Sequence, residues 1–204
     1  MIRWLEKFAE QLYKLGLLAG TGTDKNNNPV FELDRPLTRI EALTIVIRLL
    51  GLEREAYAYQ GVNPFYDVPA WGDRIAAYAY NAGITVGVNE AHTLFDSDRP
   101  VTYQEFTAFL LRVLQFFEKN NDFAYENTLQ KAVNVGLYSY AEMHAINSAA
   151  GFLRGDAVAA MANALLTKIN GSDIRLIEAL ASNEVFSVDD ANVFINNIKE
   201  IYRQ

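Results

Sequence analysis

Two arginines stand where they could hold an anion. Arg39 follows Thr38 at the head of an apolar stretch, and Arg154 follows Leu153 at the head of another. A helix start leaves backbone N–H groups unpaired and carries the positive end of the helix dipole. A guanidinium beside it adds a planar, two-pronged donor, a combination that suits a carboxylate. The plainer reading of Arg39 is a surface ion pair with Glu32 or Asp34. The other reactive residue types are poorly arranged for chemistry. His92 and His144 are solitary, with no spacing suited to zinc or to a nucleophilic triad. Neither a glycine-rich phosphate loop nor a nucleophile elbow occurs. Asp24, Asn26 and Asn28 imitate the first ligands of an EF-hand. Pro29 and Arg35 occupy its glycine and bidentate-glutamate positions, so that site fails and the stretch reads as a solvated turn.

The elements that position these arginines repeat along the chain. Phe31 to Glu41 reads FELDRPLTRIE and Phe95 to Glu105 reads FDSDRPVTYQE, a shift of 64 residues. A weaker copy, FLRGD, runs from Phe152 to Asp156. Thr38 with Glu41, and Thr102 with Glu105, have the T-x-x-E spacing of a capping box, so both glutamates are read as helix caps rather than catalytic carboxylates. Each copy opens an apolar helix. The first carries Ala42, Ile45, Val46, Leu49 and Leu50; the second carries Phe106, Phe109, Leu110, Val113, Leu114 and Phe117. The third carries Val158, Met161, Ala162, Leu165, Leu166 and Ile169, with Leu153 in place of the capping threonine. A shorter amphipathic helix precedes each one. Trp4 stands 12 residues before Gly16, Trp71 stands 12 before Gly83, and Leu129 and Val133 lead to Gly136.

Repetition of this kind means one supersecondary unit used several times, with the core buried between copies. The expected fold is all-α and pseudo-threefold: tandem units at about 1–52, 63–117 and 121–171, around a central bundle of three long helices. Residues 172–204 do not match the repeat. Ile174, Leu176, Ile177 and Leu180 suggest a short helix, and Ser187 and Asp190 look like the cap of a last helix carrying Val193, Phe194, Ile198 and Ile201. They read as a packed helical C-terminal extension.

Composition narrows the function. Half of the 204 residues are hydrophobic, 21% are charged, and the net charge is −7. Lysine and arginine do not cluster, which disfavours a nucleic-acid or anionic-membrane surface. The absence of cysteine rules out disulfides and cysteine-rich metal sites. No uncharged apolar run approaches the ~20 residues that span a bilayer. The first residues, MIRWLEKFAEQ, do not form a signal peptide. Either the protein acts inside the cell or Met1 begins a trimmed chain.

The order of motifs resembles the S-layer homology (SLH) domain family. Its pattern runs F-x-D-V, a tryptophan, a helix ending in G-[IL]-x-x-G, a phenylalanine, then I-T-R-x-E. The second unit has Phe65-Tyr66-Asp67-Val68, Trp71, Gly83-Ile84-Thr85-Val86-Gly87, Phe95 and Val101 to Glu105. The first has Trp4, Gly16 to Gly20, Phe31 and Leu37 to Glu41; the third keeps Gly136-Leu137 and Leu153 to Asp156. The resemblance implies a non-catalytic cell-wall anchor at the bacterial surface, without cofactor. Such a module binds an acidic, often pyruvylated, secondary wall polysaccharide, or a peptidoglycan-linked glycan, in grooves between units. It also implies that Arg39 and Arg154 reach the acidic substituent, that Thr38, Glu41, Asp67 and Tyr103 border the grooves, and that Trp4 and Trp71 pack there and could stack on sugar.

Tyr103 replaces the arginine of the second unit, Ala124 replaces the third tryptophan, and no F-x-D-V precedes the third unit. At most two competent grooves are therefore expected. The alternative is a degenerate scaffold serving protein–protein interaction, self-association or surface-layer assembly without glycan. Arg154-Gly155-Asp156 also spells the integrin tripeptide, at a repeat-motif position. Replacing Arg39 and Arg154 by alanine is expected to weaken wall binding while the domain stays folded.

Overall fold

The computed structural model describes residues 2–203 and, among these, the side chains of all but residues 2, 3 and 147. The fold is all-α apart from one short ribbon. In chain order it contains α1 (Ile2–Lys14), β1 (Gly22–Thr23), β2 (Pro29–Val30), α2 (Arg39–Leu49), α3 (Glu53–Ala58), α4 (Asp73–Asn81) and α5 (Tyr103–Val113). Then follow α6 (Thr128–Asn134), α7 (Tyr140–Asn147), α8 (Arg154–Leu166), α9 (Leu176–Ser182) and α10 (Val188–Tyr202).

Local sequence sets the helix ends. Thr38 and Glu41 cap α2 reciprocally, and Thr102 and Glu105 cap α5 in the same way. At α8, leucine can supply no hydroxyl, and only half of the device survives: the Asp156 carboxylate accepts the Leu153 N–H at 2.8 Å. The helices α1, α4 and α6 stop alike. Gly16, Gly83 and Gly136 take φ of 74°, 74° and 80°, a left-handed turn that glycine adopts without a Cβ clash. The next N–H in each case reaches back along the helix, Leu17 to Leu12, Ile84 to Ala79 and Leu137 to Ala132, each at 2.9 Å.

Packing then brings the apolar helices together. Each of α2, α5 and α8 touches the other two, and Leu43, Val46, Phe106, Leu110, Val158 and Met161 are fully enclosed. Enclosing such side chains stabilises by roughly 1.5–3 kcal/mol each. Other helices pack on these three: α4 on α2, α6 on α5, and α1 on α8. The chain end joins this core, with α9 on α8 and α10 on α1 and α9. Val185 packs so close to Gly51 that a Cβ there would meet it at 2.5 Å.

Three local expectations change. The stretch after Gly20 is not a plain turn: β1 and β2 pair antiparallel, and the Asp24 carboxylate accepts the N–H groups of Asn26 and Asn28 at 2.8 and 2.9 Å. The loops following the long helix of unit one and the first helix of unit three hold further short helices, α3 and α7. In α10 the buried residues are Ala191, Phe194, Ile195 and Ile198, whereas Val193 is 55% exposed.

Candidate functional site

The two motif arginines begin α2 and α8, and both are buried, at 3% and 6% exposure. Their backbones make matching bonds to loops distant in the sequence. Arg39 N–H donates to Arg99 O at 3.0 Å and Ile40 N–H to Ser97 O at 3.2 Å. Arg154 N–H donates to Arg35 O at 2.8 Å and Gly155 N–H to Leu33 O at 2.7 Å. The helix starts therefore do not offer these N–H groups to an anion; the adjoining loop already satisfies them, as buried backbone donors require.

The side chains follow the same scheme. Arg39 Nε donates to Phe95 O at 2.8 Å, with the guanidinium 4.7 Å from the Phe95 ring centre. Arg154 Nε donates to Phe31 O at 2.8 Å, and its Nη2 to Ala19 O at 2.8 Å. Tyr103, at the third such position, meets Phe152 edge-on at 4.9 Å, near the Asp156 carboxylate. Burial and that carboxylate raise the phenol well above its ordinary value. Arg39 meets Phe95, Tyr103 meets Phe152, and Arg154 meets Phe31.

These contacts correct the expected roles. Arg39 has no surface pair with Glu32 or Asp34; Arg35 makes the Glu32 contact, and Arg39 pairs with Glu105 at 3.0 Å. Arg154 is enclosed and a Cβ at Gly155 would meet Leu33 O at 3.0 Å, so the Arg-Gly-Asp tripeptide is not presented to an integrin. Asp67 is a loop anchor: its carboxylate accepts the N–H groups of Phe95, Asp96 and Ser97 at 2.8, 2.5 and 3.2 Å. Thr38 and Glu41 form the α2 cap, where Glu41 also receives Arg35 at 3.0 Å. Trp71 is 51% exposed, and Trp4 borders a separate cavity.

Where Arg39 arrives, a cavity of about 370 Å³ opens between the start of α2 and the segment 86–125. Arg39, Arg99 and Arg112 line it together with Glu105, Glu118 and Tyr125. Glu105 is the hub. Arg99 Nη1 donates to its Oε2 at 2.8 Å, a second prong of Arg99 reaches Oε1, and Thr102 N–H donates to Oε2 at 3.0 Å. Burial alone would raise the Glu105 carboxyl, but Arg99 and Arg39 outweigh it and hold the group down to about 2. Arg112 reaches Glu118 and donates to Ile84 O at 3.1 Å. Three guanidiniums and two carboxylates line it, and Arg99 also pairs with Asp96, so each guanidinium there has an acidic partner.

The groove beside Arg154 is the opposite. It encloses about 630 Å³ and is lined by Glu6, Glu10, Glu32, Asp34 and Asp156, with no arginine or lysine on its walls. Sequence reasoning missed Arg99 and Arg112 as site residues. The signal for Arg99 was present, since D-R-P recurs in Arg35 and Arg99 with a glutamate six residues on in both copies. Arg112 likewise has Arg48 as its counterpart, and each pairs with the glutamate that follows its helix.

No family model matches the chain. Two relatives do. The chain is 29% identical over 202 residues to a cell surface protein of Thermoanaerobacter kivui, an alignment covering 93% of this chain and 24% of that protein. It is 32% identical over 114 residues to a middle cell wall protein of Brevibacillus brevis, covering 55% of this chain and 10% of that one. The chain thus spans about a quarter and a tenth of the relatives it matches.

Proposed function

We propose that this chain is a non-catalytic surface-anchoring module of the SLH type that binds an acidic wall glycan, of the pyruvylated kind, in the cavity built by Arg39, Arg99 and Arg112. We read the contacts of Arg39, Tyr103 and Arg154 as three units closing on one another. The observation that carries the binding assignment is the gathering of three guanidinium groups on the wall of one cavity in an acidic protein. At physiological salt the repulsion between the acidic surface and an anionic polymer is screened within ~8 Å, so contact with the arginines decides binding. Arg99 and Arg112 offer charge-assisted donors to a sugar carboxylate, and the Tyr125 ring offers a flat wall to the sugar. The cell-surface and cell-wall names of the two relatives support the location. Among the described residues no helix is long and apolar enough to cross a membrane.

The test is co-sedimentation of the pure protein with cell-wall sacculi before and after acid extraction of the attached polysaccharide. Binding that disappears on extraction supports the assignment; equal binding to both preparations overturns it. A second reading, a scaffold that docks proteins or assembles a surface layer, draws on the acid-lined groove beside Arg154, which repels an anionic glycan. Absence of binding to either preparation favours that reading.

A further inference from the structure

We infer that the chain carries a self-modification site at Asn170–Gly171, where loss of the Asn170 amide turns a neutral joint between α5 and the loop after α8 into a charged one. Asn170 is the single asparagine followed by glycine. The pair sits at the tip of a tight turn whose two arms meet at Lys168 and Arg175. Ser172 N–H donates to Ile169 O at 3.0 Å, and Ile169 N–H to Ile174 O at 3.0 Å. Gly171 is exposed, takes φ of 71°, and has nothing within 4 Å of the place a Cβ would fill. Among the described residues its N–H donates no hydrogen bond. The nitrogen that must attack is thus uncrowded and open to the base that takes its proton.

The reaction needs only water and hydroxide. Hydroxide removes the Gly171 N–H proton, the nitrogen attacks the side-chain carbonyl carbon of Asn170, and the bond from that carbon to Nδ2 breaks. The leaving nitrogen takes a proton from water and departs as ammonia, and a cyclic imide remains. Water then opens the imide at either carbonyl. One opening gives aspartate; the other gives isoaspartate, with the chain rerouted through the side chain.

The amide that is lost holds two segments together. Asn170 N–H donates to Leu114 O at 2.9 Å, and Asn170 Nδ2 to Gln115 O at 3.2 Å. Leu114 is the C-cap of α5, so Asn170 serves carbonyls at a helix end that the helix itself leaves unpaired. A carboxylate in its place cannot donate to Gln115 O, and it sets a negative charge against the negative end of the α5 dipole. Isoaspartate also lengthens the backbone inside a turn that is tied at Lys168 and Arg175.

The experiment is incubation of the pure protein in mildly alkaline, ammonia-free buffer, then trypsin digestion and mass spectrometry against a fresh control. Cleavage after Lys168 and Arg175 isolates residues 169–175, in which Asn170 carries the sole side-chain amide. A gain of one dalton with isoaspartate is expected in this peptide, ahead of every other asparagine and faster as the pH rises. The aged protein should melt a few degrees below the fresh protein. Asn170→Gln keeps an amide donor but closes its ring far more slowly, so the same ageing should change neither its mass nor its melting temperature. Deamidation elsewhere with residues 169–175 intact overturns the inference, as does no mass change at all. An aged parent that melts with the fresh protein overturns the joint.

Discussion

Arg39 and Arg154 occupy equivalent motif positions and make the same backbone bonds, yet their surroundings are opposite. Arg39 ends on Glu105 beside Arg99 and Arg112; Arg154 ends on two carbonyls beside a groove of five carboxylates. The motif arginine therefore joins distant segments of the chain in both places. The residues around the joint, which the motif does not specify, set the charge of the neighbouring groove.

The strongest way to break this comparison is to remove each arginine separately. Arg39→Ala leaves Glu105, at 7% exposure, with one of its two guanidiniums, and breaking a buried ion pair costs about 3–5 kcal/mol. Arg154→Ala leaves two carbonyls short of a donor, at about 1–3 kcal/mol. Urea denaturation should therefore rank Arg39→Ala as the more damaging. Equal costs, or no cost in either, would refute the account of the two joints. The expectation that both could be removed without harm to the fold does not survive their burial.

Acid sharpens the same contrast. The Glu105 carboxyl lies below its ordinary value of 4.5, at about 2. Its contribution to stability is complete above pH 4.5 and is lost as the pH falls toward 2, by up to about 3 kcal/mol. Glu105→Gln should flatten the stability profile over that window. Parallel acid profiles for the parent and Glu105→Gln would contradict the hub assigned to Glu105.

Much of this architecture was legible in the sequence. The capping boxes at Thr38 and Thr102, the stops at Gly16, Gly83 and Gly136 and the three apolar stripes all depend on contacts within a few residues, and spacing reveals those. The short helix α7 was legible too but went unread: Ser139 and Glu142 spell its capping box. What spacing could not reveal was the partner of each arginine. Glu105 reads as a cap for α5, and it is one; that it also receives Arg39, 66 positions earlier in the chain, depends on how α2 meets the following unit. In α10 the period marked Val193 as apolar face, but α1 and α9 bury Ile195 instead, because the side from which neighbours arrive selects the buried stripe.

A milder substitution compares the two D-R-P arginines. Arg99 lies on the rim of the arginine-lined cavity, 34% exposed, while Arg35 is 37% exposed and pairs with Glu32 and Glu41 beside the acidic groove. Arg99→Ala should weaken binding of a pyruvylated hexoside by roughly tenfold, about 1.4 kcal/mol. Arg35→Ala should change it by less than about twofold. Raising the salt should weaken the parent and shrink the gap between the variants, since the lost term is an ion pair open to solvent. Equal losses from Arg35→Ala and Arg99→Ala would show that general charge, rather than the cavity, attracts the ligand.

The smallest effect belongs to Tyr103, where the motif arginine is missing. Its ring packs on Phe152 near the Asp156 carboxylate, so the joint is made from an aromatic contact. Tyr103→Arg would give up the ring contact, worth about 0.5–1.5 kcal/mol. In exchange it would gain a donor for Phe152 O, matching Arg39 on Phe95 O and Arg154 on Phe31 O, and an ion pair with Asp156. The two changes nearly offset, and the melting temperature should move by only a few degrees. Affinity for the acidic sugar should not rise, because no counterpart of Arg99 stands in the third unit and Asn163 replaces Arg112. A variant that both folds and binds the sugar more tightly would show that the motif arginine alone confers binding, and that Arg39 and Arg154 differ less than their surroundings suggest.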